Sequence, residues 1–333
     1  MANLRAGLIG LGMMGRNHAR VLASLDGVDL VGVADPGGDK FEVAGGREVL
    51  PGIEQLIATG IDYCMVAVPT AYHLSVGTAL AEAGVHALIE KPLAENVETA
   101  TQLADAFDSR GLVGGVGHIE RYNPALQSAR ARLGNGELGD VYQIATRRQG
   151  PFPDRISDVG VVMDLATHDI DLTAWVTQQD YVEISAETTY RSGRPHEDLV
   201  AATGRLTNGT VVNHLVNWLS PLKERTTIIT GENGTFVADT LTADLTFYEN
   251  GSVATTWEGL SQFRGVLEGN ITRFAISKPE PLRVEHEQFR NAVLGLDSDI
   301  VSLSQGLKTV RVAAKMTNDR RDPLIRRNGS ESQ

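Results

Sequence analysis

The run Leu8-Ile9-Gly10-Leu11-Gly12-Met13-Met14-Gly15 constrains this 333-residue chain more than any other stretch. A short apolar segment ends in three glycines spaced G-x-G-x-x-G. A helix-like segment follows through Ala19, Val21 and Leu22. The first glycine permits a tight turn, the second lets a pyrophosphate approach the backbone, and the third lets the helix pack closely on the strand. The amides of Met13, Met14 and Gly15 then open a helix N-terminus, where the dipole favours negative charge. The next apolar run, 28–34, ends in Asp35, twenty residues after Gly15. That spacing suits a carboxylate that bonds the adenosine ribose hydroxyls. The competing reading is a βαβ unit without a nucleotide. The order strand, turn, helix and the placement of Asp35 together favour a dinucleotide.

The first part of the chain alternates strand-like runs (5–9, 29–34, 63–68, 86–89, 112–117) with helix-like ones (15–24, 53–59, 73–83, 97–108). This predicts an α/β Rossmann domain with a doubly wound parallel sheet over residues 1–122. From 141 the pattern changes to strand-like runs at 141–148, 181–190, 199–206, 210–218, 225–230, 235–239, 245–248 and 253–257. Asn208-Gly209, Asn233-Gly234 and Asn250-Gly251 are hairpin signals between them. A second, α+β domain with a large, mainly antiparallel open sheet is expected over 123–333. Helices at 285–294 and 303–316 close it, the terminal one free to pack back on the first domain. The net charge of −12, without a lysine or arginine run, argues against nucleic acid and anionic membranes as partners. The single cysteine, Cys64, lies in an apolar run and excludes a disulfide framework. No apolar segment reaches the roughly 18 residues of a membrane span, so a cytoplasmic protein is expected. Both faces of runs such as 211–218 are partly apolar, which predicts a homodimer or homotetramer covering one face of the second sheet.

In open parallel sheets ligands bind beyond the carboxyl ends of the strands. The polar residues there are Pro69, Thr70 and His73, then Glu90 and Lys91, then His118, Arg121, Tyr122 and Asn123. With Gly10, Gly12, Met13, Met14, Gly15 and Asp35, the first two groups are candidates for cofactor contact; the third, for substrate. Each is also readable as a helix cap or a surface group, Thr70 in particular as an N-cap. A further constellation lies at Asp164, His168 and Asp171. On a helix these positions share a face, and a histidine oriented by carboxylates suits a general base for an alcohol. A structural histidine is the alternative. A metal site is not expected, because no cysteine lies near and carboxylate/His sites draw ligands from more places.

The chain resembles the Gfo/Idh/MocA oxidoreductases. The resemblance rests on Gly10 to Gly15, Pro69-Thr70 with His73, Glu90-Lys91-Pro92, Asp164-Leu165-Ala166-Thr167-His168, Thr230 to Gly234 and Glu280-Pro281-Leu282. Ala166 departs from the glycine many members carry. The resemblance implies NAD as cofactor, Lys91 polarising a substrate hydroxyl, His168 as its base and Asp164 holding the substrate or tuning the pair. It also implies that the second sheet floors the substrate cavity. The segments around His118–Ala125 and Gly160–Asp171 are most similar to the branch acting on nucleotide-linked amino sugars, typified by UDP-N-acetylglucosamine 3-dehydrogenases. Arg121, Arg148 and Arg155 are then candidates to fork onto a pyrophosphate. The alternatives are a dehydrogenase of a free sugar or cyclitol such as myo-inositol, and a catalytically silent NAD sensor. Asp35 generates the first prediction. Its carboxylate repels a 2′-phosphate, so NAD is expected to bind more tightly than NADP, and Asp35→Ser to narrow the gap. Equal affinities in the unaltered protein would contradict this reading.

Overall fold

The computed structural model describes residues 3–152, 159–251 and 267–318. Its first sheet is assembled from β1 (Leu4–Ile9), β2 (Val28–Ala34), β3 (Val49–Leu50), β4 (Tyr63–Val66), β5 (His86–Glu90) and β6 (Gly114–Gly117). They lie in the order β3-β2-β1-β4-β5-β6, all pairs parallel. The crossovers are α1 (Met13–Leu22), α2 (Ile53–Ala58), α3 (His73–Glu82) and α4 (Val97–Asp108). The sheet is covered on both faces, so a strand such as β4 has all four residues buried and reads as an unbroken apolar run. The order reverses between β1 and β4, and the crevice there receives ligands in such sheets.

After α5 (Pro124–Gly134) the second sheet begins with β7 (Val141–Pro151). It continues through β8 (Tyr181–Thr189), β9 (Leu199–Leu206), β10 (Val211–Asn217), β11 (Leu219–Gly231), β12 (Gly234–Asp239), β13 (Asp244–Gly251) and β14 (Leu267–Arg273). The order is β14-β13-β12-β11-β7-β10-β9-β8, antiparallel except for the parallel pair β7–β10. The expected Rossmann sheet and mainly antiparallel open sheet are therefore both present. Helix α6 (Thr167–Thr177) and α5 bury Ile144, Val212, Ile229 and Phe236 against one face of the second sheet.

Some local readings change. Asn250-Gly251 ends β13 rather than forming the turn itself, and the run 253–257 lies outside the described residues. The pattern missed α5, although Asn123-Pro124 is a cap-and-N1 signature: the Asn123 side chain accepts from the Ala125 amide. It also missed β14, whose sequence LEGNITR carries little apolar alternation, and the two-residue β3.

The closing helices α7 (Pro281–Val293) and α8 (Leu303–Asn318) do not stay with the second sheet. Phe289 of α7 is fully buried, with its ring centroid 5.5 Å from that of Tyr63 in β4. Val301, Leu303, Leu307 and Val310 pack into the core under β4, β5 and β6, while Ala313 and Met316 reach the core under the second sheet. Phe289→Ala is therefore expected to destabilise the protein by about 3–5 kcal/mol, as truncation of a buried aromatic does. Denaturant unfolding measures it; a loss well below 1 kcal/mol would show that α7 is not part of this core.

Candidate active site

The glycine turn folds as its spacing demands. Gly10 has φ +93°, a conformation that side chains rarely adopt. A Cβ at Gly15 would collide with the carbonyl oxygen of Gly10, whereas one at Gly12 would meet nothing within 4 Å. Gly12 thus borders open space while Gly15 is a packing requirement. Helix α1 has no side-chain cap and no acidic residue in its first turn, so its leading amides remain available to an anion. Asp35, at the end of β2, accepts from Leu11 N at 2.8 Å and from Gly37 N at 2.7 Å. The residues fit the adenosine and pyrophosphate parts of NAD: an open glycine backbone, orphan helix amides and a carboxylate with spare lone pairs.

Of the other cofactor candidates, Pro69 is exposed and Thr70 half-buried, opening a short 3₁₀ turn at Thr70–Tyr72 in which no side chain caps the helix. His73 is fully buried. Its ring nitrogens face the carbonyl oxygens of Val68 and Pro92, each at 3.0 Å. It shapes the site by tying the β4 loop to the Glu90-Lys91-Pro92 turn, and offers no free group to a ligand.

Beyond β5, Lys91 Nζ donates to both the carbonyl oxygen and the Oδ1 of Asp164, each at 2.8 Å. This joins the first sheet to the segment entering α6. That segment is a π-helical turn, Val162–Ala166, which departs from the regular helix expected there. One extra residue in the turn changes the helical phase. Asp164 turns to Lys91, while Asp171 turns to Arg121, whose Nε and Nη2 each donate to it at 2.7 Å. The expected single face of Asp164, His168 and Asp171 is thus split. Among the described residues His168 has no carboxylate partner. Its Nδ1 is enclosed without a hydrogen bond, and Nε2 has none among the described residues. Burial, then the charges of Lys91 and Arg148 and the influence of His118 and Arg225, hold its pKa well below the ordinary histidine value. A neutral imidazole with an unused lone pair therefore lies beside an ammonium group, an arrangement suited to taking a proton from a polarised hydroxyl.

His118 joins this group: its buried ring stands edge-on to His168 with centroids 6.3 Å apart. The remaining substrate candidates are turned inward. Arg121 is 5% exposed and committed to Asp171 and Gln305; the Tyr122 hydroxyl donates to Asp299 O; and Asn123 caps α5 while donating to Thr240 O. These hydrogen bonds lie within the protein, because buried polar groups need partners. Arg148 is likewise held by Asp169 at 2.9 Å and Glu120 at 2.8 Å. Arg155 lies outside the described residues.

Two features escaped the sequence reading. Glu90 Oε1 lies 2.8 Å from His18 Nε2, and His18 Nδ1 lies 2.8 Å from His286 Nε2, a buried chain from α7 to the residue before Lys91. Burial alone would raise the Glu90 carboxyl, but the His18 hydrogen bond and charge, with Lys91, keep it below its usual range. Arg225 on β11 is the second. The only sequence signal for His18 is its position one turn into α1; nothing local marks His286 or Arg225. Among the described residues, no group of three or more His, Cys, Asp or Glu is arranged to hold a metal ion, and no helix is long and apolar enough to cross a membrane.

The GFO/IDH/MocA family model, described as an oxidoreductase family with an NAD-binding Rossmann fold, matches residues 4–118, and the model of its C-terminal domain matches 126–237. The chain is 32% identical to a UDP-N-acetylglucosamine 3-dehydrogenase of Acidithiobacillus ferrooxidans over 88% of this chain and 90% of that one. A solved structure of that enzyme superposes with a TM-score of 0.80 at 29% identity, covering 95% of this chain and 97% of its own. An NAD-dependent scyllo-inositol 2-dehydrogenase of Bacillus subtilis is 30% identical over 55% of this chain and 56% of that one.

The glycine geometry separates binding from folding. Gly12→Ala is expected to leave stability within about 1 kcal/mol, since its backbone suits alanine. It should weaken NAD binding about tenfold or more by blocking approach to the amides. Gly15→Ala should instead lower stability. Calorimetric titration with NAD and thermal unfolding of both variants test this; undiminished NAD binding by Gly12→Ala would remove the turn from the cofactor site.

Proposed function

The chain belongs to the GFO/IDH/MocA oxidoreductases, and from that premise we propose that it is an NAD-dependent dehydrogenase of a UDP-linked amino sugar, oxidising the C3 hydroxyl. The observation that carries the reading is the convergence of Lys91, Asp164 and His168 at the carboxyl end of β5. Hydride chemistry needs a polarised hydroxyl, a base and a positioned nicotinamide, and these residues supply the first two. The similarity to the UDP-N-acetylglucosamine enzyme spans nearly the whole chain, whereas the inositol dehydrogenase matches about half. That difference favours a nucleotide sugar over a cyclitol.

In this reading Lys91 binds the substrate hydroxyl. An ammonium has three donors; Asp164 takes two, leaving one for the hydroxyl oxygen. The positive charge lowers the proton affinity of that oxygen and stabilises the negative charge it gains. His168 accepts the proton. Asp164 aims Lys91 and keeps it from swinging to solvent. The glycine turn and Asp35 would hold NAD, which would supply the hydride acceptor. Residues 1–122 form the cofactor domain and 123–333 the substrate domain, with α7 and α8 returning to the first. The outer face of the second sheet, where Ala145, Ile228 and Val237 lie side by side, is the surface for a homodimer or a tetramer of two.

Initial rates of NAD reduction with UDP-N-acetylglucosamine and with myo-inositol test the substrate. Turnover of the cyclitol alone would overturn the proposed substrate; NAD binding without any turnover would favour a sensor. Lys91→Ala should cut turnover by about 10²–10³-fold with NAD affinity retained. Because the pKa of His168 is lowered, the imidazole is already the competent base at neutral pH. The oxidation rate should be flat there and fall only in acid, on the low side of the ordinary value of about 6.5. His168→Ala should lose that acid limb and about 10²–10⁴-fold in rate. Survival of the limb in this variant would assign the proton to another group.

A further inference from the structure

The inner face of the second sheet changes character along its strands. Residues of β7 and β11 stand directly opposite in the pairs Ile144/Ile229, Thr146/Thr227 and Arg148/Arg225. The isoleucines sit under α5 and α6; the arginines lie at the end towards His168. Like charges directly opposite on a sheet repel, so each arginine needs a reason to be there. Arg148 has one, because Asp169 and Glu120 hold its guanidinium. Arg225 has no such partner among the described residues, and its Nη1 is buried without any hydrogen bond. The carboxylates nearby are engaged elsewhere: Asp164 with Lys91, Asp169 and Glu120 with Arg148. The pairing of β11 with β7 slips between Leu219 and Glu224, just before Arg225. Such irregularities re-aim side chains beside active sites.

A guanidinium nitrogen withdrawn from water without a partner is costly, and a planar fork of donors matches an oxyanion bidentately. We propose that Arg225 is a specificity-determining residue that binds an oxyanion of the substrate, a diphosphate or a sugar carboxylate, beside the hydroxyl held by Lys91. The inference rests on the nucleotide-sugar reading and replaces Arg121 and Arg148 as the pyrophosphate ligands. Its charge acts on both Asp164 and His168, which puts the anion subsite within electrostatic reach of the reacting group.

The test compares the unaltered enzyme with Arg225→Gln and Arg225→Lys at saturating NAD. The substrates are UDP-N-acetylglucosamine, its 6-carboxylate, and free N-acetylglucosamine. In Arg225→Gln the kcat/KM ratio of UDP-N-acetylglucosamine over the free sugar should fall about tenfold or more, as loss of a charge-assisted bond implies. Most of the fall should be in KM, and Arg225→Lys should recover part of it. A penalty confined to the 6-carboxylate identifies the sugar carboxylate as the oxyanion. A loss of the same size with the free sugar overturns the proposal in favour of a structural role. Calorimetric titration of the NAD-loaded proteins with inorganic pyrophosphate needs no turnover, so it separates this inference from the substrate reading. Binding by the unaltered protein that weakens tenfold in Arg225→Gln supports the subsite. Equal binding, or none, overturns the diphosphate subsite, even where UDP-sugars prove to be substrates, and with no penalty on the 6-carboxylate either it overturns the proposal.

Discussion

The bond between Lys91 and Asp164 is the contact on which the site depends. Lys91 follows β5, the neighbour of β4 at the edge of the ligand crevice, and Asp164 lies in the π turn that leads into α6. Both side chains are largely buried, at 15% and 4% exposure. A buried ion pair is a poor source of net stability compared with apolar packing, yet removing one partner costs about 3–5 kcal/mol, because the other charge stays behind. The pair thus does little to make the fold stable and much to make it specific. It holds α6, and with it His168, at one setting relative to the crevice.

Behind Lys91 the same logic extends inward. Its amide donates to Glu90 Oε2 at 3.1 Å, Glu90 meets His18 of α1, and His18 meets His286 of α7. The helix whose leading amides carry no side-chain cap is therefore tied by buried polar contacts to the turn that carries the lysine. Networks of this kind penalise partial satisfaction, so they hold their members in one arrangement. The network ends at His286, whose Nδ1 has no hydrogen-bond partner among the described residues, and Glu285 lies next to it. Both Glu285 oxygens lack partners among the described residues, and burial, with Glu90 nearby, pushes its pKa well above the usual carboxylate range.

The readable and unreadable parts of the chain divide by range. Gly10, Gly12, Gly15 and Asp35 were legible because each answers a backbone or spacing requirement met within 35 residues. The unbroken apolar run of β4 and the hairpin dipeptides Asn208-Gly209 and Asn233-Gly234 were legible for the same reason. Arg121 was not. An arginine that forks onto a ligand and one that forks onto Asp171, fifty positions later, present the same residue to the sequence reader. Nor could the pattern reveal the π turn, since a single added residue moves Asp164 and Asp171 to different partners without altering the apolar spacing. His18 and His286 meet across 268 positions, and only the return of α7 to the first sheet brings them together.

With His168 as the proposed base, the cations around it also set how it would operate. Burial, then the charges of Lys91, Arg148 and Arg225, lower its affinity for a proton, and the same charges would oppose the imidazolium that forms if it accepts one. In the proposed complex the same charges would favour the negative charge on the substrate oxygen, so they would lower the proton affinity of donor and acceptor together. Efficient transfer requires the two affinities to approach each other. An oxyanion seated on Arg225 would offset one of these charges and raise the basicity of His168 with the substrate in place. Water entering the empty crevice brings no such charge. The base would then be at its strongest only against the molecule it is meant to deprotonate, which gives a substrate anion a part in the chemical step as well as in binding.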